Sequence, residues 1–145
     1  MKMKAMYAGH LTLTAIDRLG NRFIYDTPNI ITYGAAKCSA HALVGETAFM
    51  ASDLAVGTGS TAAARGDTAL VTEAYRQSLG TPTFPFVGQV EFAVTLDFVC
   101  DANGFTLREA GIFTVNNTLL ARQVHSSVSK DSNFQLEYRW RIVFT

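Results

Sequence analysis

The side chains of this sequence with chemistry to offer are three histidines (His10, His41, His125), two cysteines (Cys38, Cys100) and a set of charged residues inside apolar segments. No two histidines share a metal-ligand spacing, and no carboxylate cluster completes a site. Ser126-Ser127 follows His125, but a nucleophilic triad is defined by geometry and adjacency does not make one. Asp97 and Asp101 flank a hairpin end without the alternating oxygen ligands of a calcium loop. Leu54-Ala55-Val56-Gly57-Thr58-Gly59-Ser60-Thr61 runs like a strand into a glycine-rich loop. A phosphate-binding loop would need a Lys-Ser or Lys-Thr pair opening a helix. A dinucleotide site would need a βαβ unit with an acidic residue further on. Neither follows, so Gly57–Gly66 reads as a structural loop that uses glycine for unusual backbone angles or close packing. No catalytic residue, metal or cofactor is expected.

The charges within apolar stretches are more informative. Glu73 and Arg76 lie in Thr72-Glu73-Ala74-Tyr75-Arg76, Arg108 and Glu109 in Leu107-Arg108-Glu109-Ala110-Gly111-Ile112-Phe113, and Arg122 in Leu119-Leu120-Ala121-Arg122. Two readings are open. These are outward-facing polar residues, or they form an internal ion-pair network that fixes strand register or a subunit contact. Glu109 and Arg122 flank a turn at Asn116-Asn117 and can meet across it. Alternatively, one of them meets Glu73 or Arg76.

The elements that must position these residues come from the rest of the chain. Its 145 residues suit one domain over 1–145, and 48% hydrophobic against 17% charged suits a packed core. Twelve basic and twelve acidic residues leave a formal charge of zero. That gives no positive field for nucleic acid and little repulsion between copies. Two cysteines are too few for a disulfide framework and read as buried thiols in a reducing compartment. The basic start, Met1-Lys2-Met3-Lys4, is followed by Gly9, His10 and Thr12, which break the apolar run a signal peptide needs. No run approaches the length of a membrane span.

Alternation of apolar and polar residues predicts most of the elements. A strand over His10–Ile16 turns at Asp17–Asn21 and returns over Arg22–Tyr25. Thr27-Pro28-Asn29 reads as a helix start, with one helix near residues 30–44 carrying Ile31, Ala35, Cys38 and Ala42 on its apolar stripe and His41 partly exposed beside it. Asp53–Val56 is a short strand, and Asp67 can cap a helical turn. Glu73–Leu79 is open between strand and helix, and Pro82 and Pro85 make Thr81–Gly88 a loop or an edge. Val90 to Cys100 alternates, Asp101-Ala102-Asn103-Gly104 is a tight turn, and Phe105–Val115 and Thr118–His125 follow as strands. The last strand has the strongest pattern. Phe134, Leu136, Tyr138, Trp140, Ile142 and Phe144 face one way, and Gln135, Glu137, Arg139, Arg141 and Val143 the other. The fold class is mainly β, an antiparallel, jelly-roll-like β-sandwich with one short helix.

Taken in order, several of these segments resemble a known block. Ala55-Val56-Gly57-Thr58-Gly59, then Asp67-Thr68-Ala69-Leu70, then Glu73-Ala74-Tyr75-Arg76 resembles a run in phage tail and tail-fibre proteins, which often read GTGTTAPA, then DTAL, then a glutamate and an arginine. Glu109-Ala110-Gly111-Ile112-Phe113 and Leu119-Leu120-Ala121-Arg122 are similar to two later strands of that family, and Val128-Ser129-Lys130 to its closing segment. The likeness covers roughly residues 30–145. It implies a virion structural role without catalysis: an attachment module, an adaptor or a small coat protein.

The expected function is therefore a non-enzymatic virion protein of the tail or fibre-attachment site, made in the host cytoplasm and assembling with itself and other virion proteins. It is expected to contact no nucleic acid, membrane or small-molecule substrate. A capsid decoration protein is one alternative. A carbohydrate-binding module stacking sugars on Tyr75, Phe84, Phe86 or Trp140 is another. Aromatic residues in a proline-bounded loop are candidate interface anchors, so Phe84, Phe86 and the Met1–Tyr7 arm are the expected subunit contacts.

Overall fold

In the computed structural model the described residues are 7–144, with only the backbone of Tyr7 included. They form eight antiparallel strands and one α-helix: β1 Tyr7–Asp17, β2 Arg22–Ile31, α1 Tyr33–Leu43, β3 Ala51–Gly57, β4 Glu73–Ser78, β5 Gln89–Leu96, β6 Thr106–Thr114, β7 Leu119–Ser129 and β8 Phe134–Phe144. The mainly-β expectation holds. All eight strands form one sheet in the order β4-β3-β6-β7-β2-β1-β8-β5.

The sheet folds over on itself, with β2 as the fold line. The first part of β2 pairs with β1, as in Leu13↔Tyr25. Its end crosses to β7 through only two residue pairs, Ile30↔Arg122 and Ile31↔Ala121. Leu11 and Leu13 of β1, Phe92, Val94 and Leu96 of β5 and the inner residues of β8 thus meet Leu54, Val56, Leu107, Ala110 and Ile112 in one core. The outer strands come back together where Gln77 Nε2 of β4 donates to the Thr95 carbonyl of β5 (3.3 Å), so the sheet is nearly a closed barrel.

Burial follows sequence period most clearly in β8. Leu136, Tyr138, Trp140 and Ile142 are buried, as strict alternation demands of a strand with one face on a core. Across the interior, the buried Tyr138 hydroxyl lies 3.0 Å from His125 Nε2 of β7. Burial pushes the Tyr138 phenol up and the His125 imidazole down. His125 Nδ1 lies 2.8 Å from the Ser126 carbonyl. That geometry fits a neutral ring donating through Nδ1 and accepting the tyrosine proton at Nε2.

The structure corrects several boundaries. Thr27-Pro28-Asn29 does not open the helix but continues β2. Pro28 is tolerated because no strand pairs with that side of β2 there, so its missing N–H costs no ladder bond. The helix begins at Tyr33, after Thr32 donates its hydroxyl to the Leu119 carbonyl. Gly34 lets it lie close, since a Cβ there would sit 2.5 Å from the Leu119 oxygen. Asp67 caps no helix. Glu73–Ser78 resolves as a strand, and β5 stops at Leu96, before Phe98 and Cys100.

Candidate functional site

Two of the strands read from the sequence, β6 and β7, bring Glu109 and Arg122 to one place. In β6 the alternation slips between Leu107 and Glu109. Glu109 and Phe113 therefore face away from the main core while Ala110 and Ile112 face into it. The chain between β3 and β4, residues 58–72, folds down over that outer face. Leu70 packs there on Ala55, Phe113 and Leu119 as a second small core. This half of the sheet is thus covered on both sides.

Under that strap Glu109 is fully buried and Arg122 is 1% exposed. The Arg122 guanidinium meets the Glu109 carboxylate in a forked pair, with Nε and Nη2 both donating to Oε2 at 3.0 and 2.8 Å. Glu109 also accepts three strap amides: Gly59 (3.1 Å), Val71 (3.0 Å) and Thr72 (2.8 Å). Arg122 donates further to Asp67 Oδ2 (2.9 Å) and the Thr61 carbonyl (2.8 Å). Asp67 closes the circuit by accepting the Ala64 amide. Burial alone pushes the Glu109 carboxyl up, but the Thr72 and Val71 amides and the arginine outweigh it and hold the group below its ordinary value. Five charge-assisted hydrogen bonds converge on one carboxylate, and they clamp a long loop to a sheet.

The glycines belong to the same device. A Cβ on Gly57 would sit 2.7 Å from Glu109 Oε1 and 2.3 Å from the Thr72 carbonyl. One on Gly59 would meet Val71 Cβ at 2.5 Å and Glu109 Oε1 at 2.6 Å. Neither glycine has positive φ. Of the two reasons given above for glycine in this loop, close packing applies at these positions.

Glu73 and Arg76 form a separate, partly exposed pair at 2.7 Å on the edge strand β4. Arg76 also stacks 4.1 Å from the Phe113 ring centroid and donates to Asn117. The structure joins neither residue to the Glu109–Arg122 pair. A second buried carboxylate, Glu91 on β5, went unremarked in the sequence. It accepts Arg139 Nη1 at 2.7 Å and Arg141 Nη2 at 2.8 Å from β8. Burial pushes Glu91 up, and the two arginines bring it below its ordinary value. The signal was present as arginines two apart on the polar face of the last strand, but their partner lies about fifty residues away in sequence.

Of the expected contact residues, Phe84 and Phe86 are 74% and 67% exposed rather than packed over their own sheet. With Val87, Val90 and Phe144 they line an apolar depression. A neighbouring apolar cleft runs from Phe84 to Ala42 of α1 and Met50. Thr83 exchanges backbone hydrogen bonds with Glu91, which anchors this segment at the edge of β5. Met1 lies outside the described residues, and the backbone of Tyr7 pairs opposite Phe144. His41 pairs with Glu46 at 2.8 Å and stacks on Phe49. Among the described residues no group of three or more His, Cys, Asp or Glu is placed to hold a metal ion. No helix among them is long and apolar enough to cross a membrane.

No protein-family model matches the chain, and neither a curated protein nor a solved structure matches it. The likeness to phage tail proteins therefore stands on the residues quoted above.

Proposed function

We propose that this chain is a non-enzymatic structural protein of a bacteriophage particle, a component of the tail or its fibre-attachment site that assembles with copies of itself and with other virion proteins. One observation carries the reading. The residues that make up the resemblance (Gly57, Gly59, Asp67, Leu70, Glu109 and Arg122) converge on a buried clamp. A glutamate so engaged has its lone pairs committed to amides and a guanidinium, so its work is to hold the strap. The same motif is thus a recipe for rigidity, which suits a particle component. The exposed Phe84–Phe86 surface supplies an apolar anchor for a neighbour.

The test is to label the chain in purified particles and count it by electron microscopy. Density at the tail or its junction, in tens of copies or fewer, is the expected result. Hundreds of copies over the shell would move the chain to the decoration proteins. Absence from the particle would overturn the proposal.

A further inference from the structure

The first part of β2 runs beside β1 without a neighbour on its other side. Between Arg22 and Asn29, β2 pairs with β1 on one side, while its pairing to β7 is confined to Ile30 and Ile31. Its other edge is therefore unpaired among the described residues. The hydrogen-bonding phase of that edge can be read from both ends. The Asp17 amide donates to the Asn21 carbonyl at the hairpin turn, and the Thr32 amide to the Leu120 carbonyl beyond the other end. Antiparallel ladders alternate, so the odd residues of β2 turn their backbone groups to β1 and the even ones turn theirs outward. Arg22, Ile24 and Asp26 thus present free amides and carbonyls, and Pro28, which has no amide, ends the row. Free edges of this kind are natural sites of strand addition.

The side chains along this edge are unusual for an unpartnered strand. Phe23 is 68% exposed, Ile24 67% and Tyr25 36%. Phe23 and Tyr25 lie on the core-facing side of the sheet, opposite Ala15 and Leu13 of β1, yet remain uncovered. Arg22 has no ion-pair partner among the described residues. Asp26 accepts Thr12 Oγ1 and pairs with His10, both through Oδ1, which leaves Oδ2 for another donor.

We infer that β2 is the contact strand of a two-fold dimer, pairing antiparallel with β2 of a second copy about an axis at Ile24. The sequence Arg22-Phe23-Ile24-Tyr25-Asp26 is self-complementary in that register. Ile24 falls opposite its own copy, Arg22 opposite Asp26 on one face, and Phe23 opposite Tyr25 on the other. The even residues that meet are those with free backbone groups, so hydrogen bonding and side-chain pairing select the same alignment. A like-with-like patch related by a two-fold axis is the isologous arrangement that closes at two copies. The sheet then continues across the dimer, with aromatic pairs and reciprocal ion pairs at the seam. This deepens the self-assembly part of the reading above and does not depend on where in the particle the chain resides.

Charge reversal tests it, because the residues are exposed and their replacement spares the core. Sedimentation equilibrium over a range of concentrations should show a monomer–dimer equilibrium for the full chain. Arg22→Asp sets acid against acid and Asp26→Arg sets base against base, so each alone should weaken dimerisation about tenfold or more, as about 1.4 kcal/mol of lost pairing would. Mixing the two variants should restore dimers, as mixed pairs only, and the double variant Arg22→Asp/Asp26→Arg should dimerise like the parent. Ile24→Lys should abolish the dimer while leaving the circular dichroism spectrum unchanged. A dimer indifferent to all three single changes would overturn the β2 contact while leaving self-association in place. A parent chain that stays monomeric throughout the range would overturn it too, and location in the particle would be decided separately by microscopy.

Discussion

The Glu109–Arg122 pair has a stability signature of its own. Removing one member of a buried ion pair strands the other without water, which typically costs about 3–5 kcal/mol. We expect a loss of this size from Arg122→Ala, measured by urea unfolding, and an unchanged midpoint would mean that water replaces the guanidinium. Another buried titratable residue, His125, gives a pH dependence. His125 is held neutral by burial, below its ordinary value of 6.5, against the opposing pull of the Ser126 carbonyl and Glu109. The unfolded chain takes up a proton near the ordinary value while the folded chain does not. Stability is therefore full above about pH 6.5 and is lost as pH falls below it, until the folded imidazole also titrates. His125→Gln should flatten that slope between pH 7 and 5.5 in a series of urea midpoints. An equal slope in the variant would assign it to other groups.

At the scale of elements, β8 and the strap make contrasting predictions. Trp140 is 1% exposed in the middle of β8, and truncation to alanine should cost about 3–5 kcal/mol. Gly59→Ala forces a methyl against Val71 and Glu109, for which overpacking of about 1–3 kcal/mol is expected. Its distinguishing readout is local. Amide exchange at Val71 and Thr72 should accelerate well before exchange in β8 does. The sequence made β8 legible because strict alternation over eleven residues admits one structure. It also pointed to Glu109 and Arg122, since charges in apolar strands need partners. It misled at Pro28, where an edge strand imitates a helix start. Asp67 misled as well: its side chain does bind a nearby amide, as a cap would, but its second partner is Arg122. Neither outcome is local. One depends on which side of β2 lacks a neighbour and the other on a strap folding back over a sheet.

For the whole molecule, two exposed apolar regions lie at different places: the β2 edge and the Phe84–Phe86 surface. If the second is the assembly contact of the function proposed above, Phe84→Ser/Phe86→Ser should leave the urea midpoint nearly unchanged, because surface changes usually fall within about 0.5 kcal/mol. Incorporation into particles should nevertheless fall, as measured by quantitative blotting of purified virions. Normal incorporation would remove this surface from the assembly.

The pairing of β1 with β8 also fixes how the molecule bears load. Tyr7 and Phe144 face each other across adjacent antiparallel strands. A pull applied through these two residues would meet the ladder hydrogen bonds one at a time, like a zipper, rather than all together in shear. The fold is weak to tension along that line, however strong its clamp. Any assembly that loads this chain would gain more by gripping it through the flanks of its sheet than by stringing it between Tyr7 and Phe144. Optical-trap extension from those two positions should open β1 from β8 at low force, with the Glu109 strap the last part to yield.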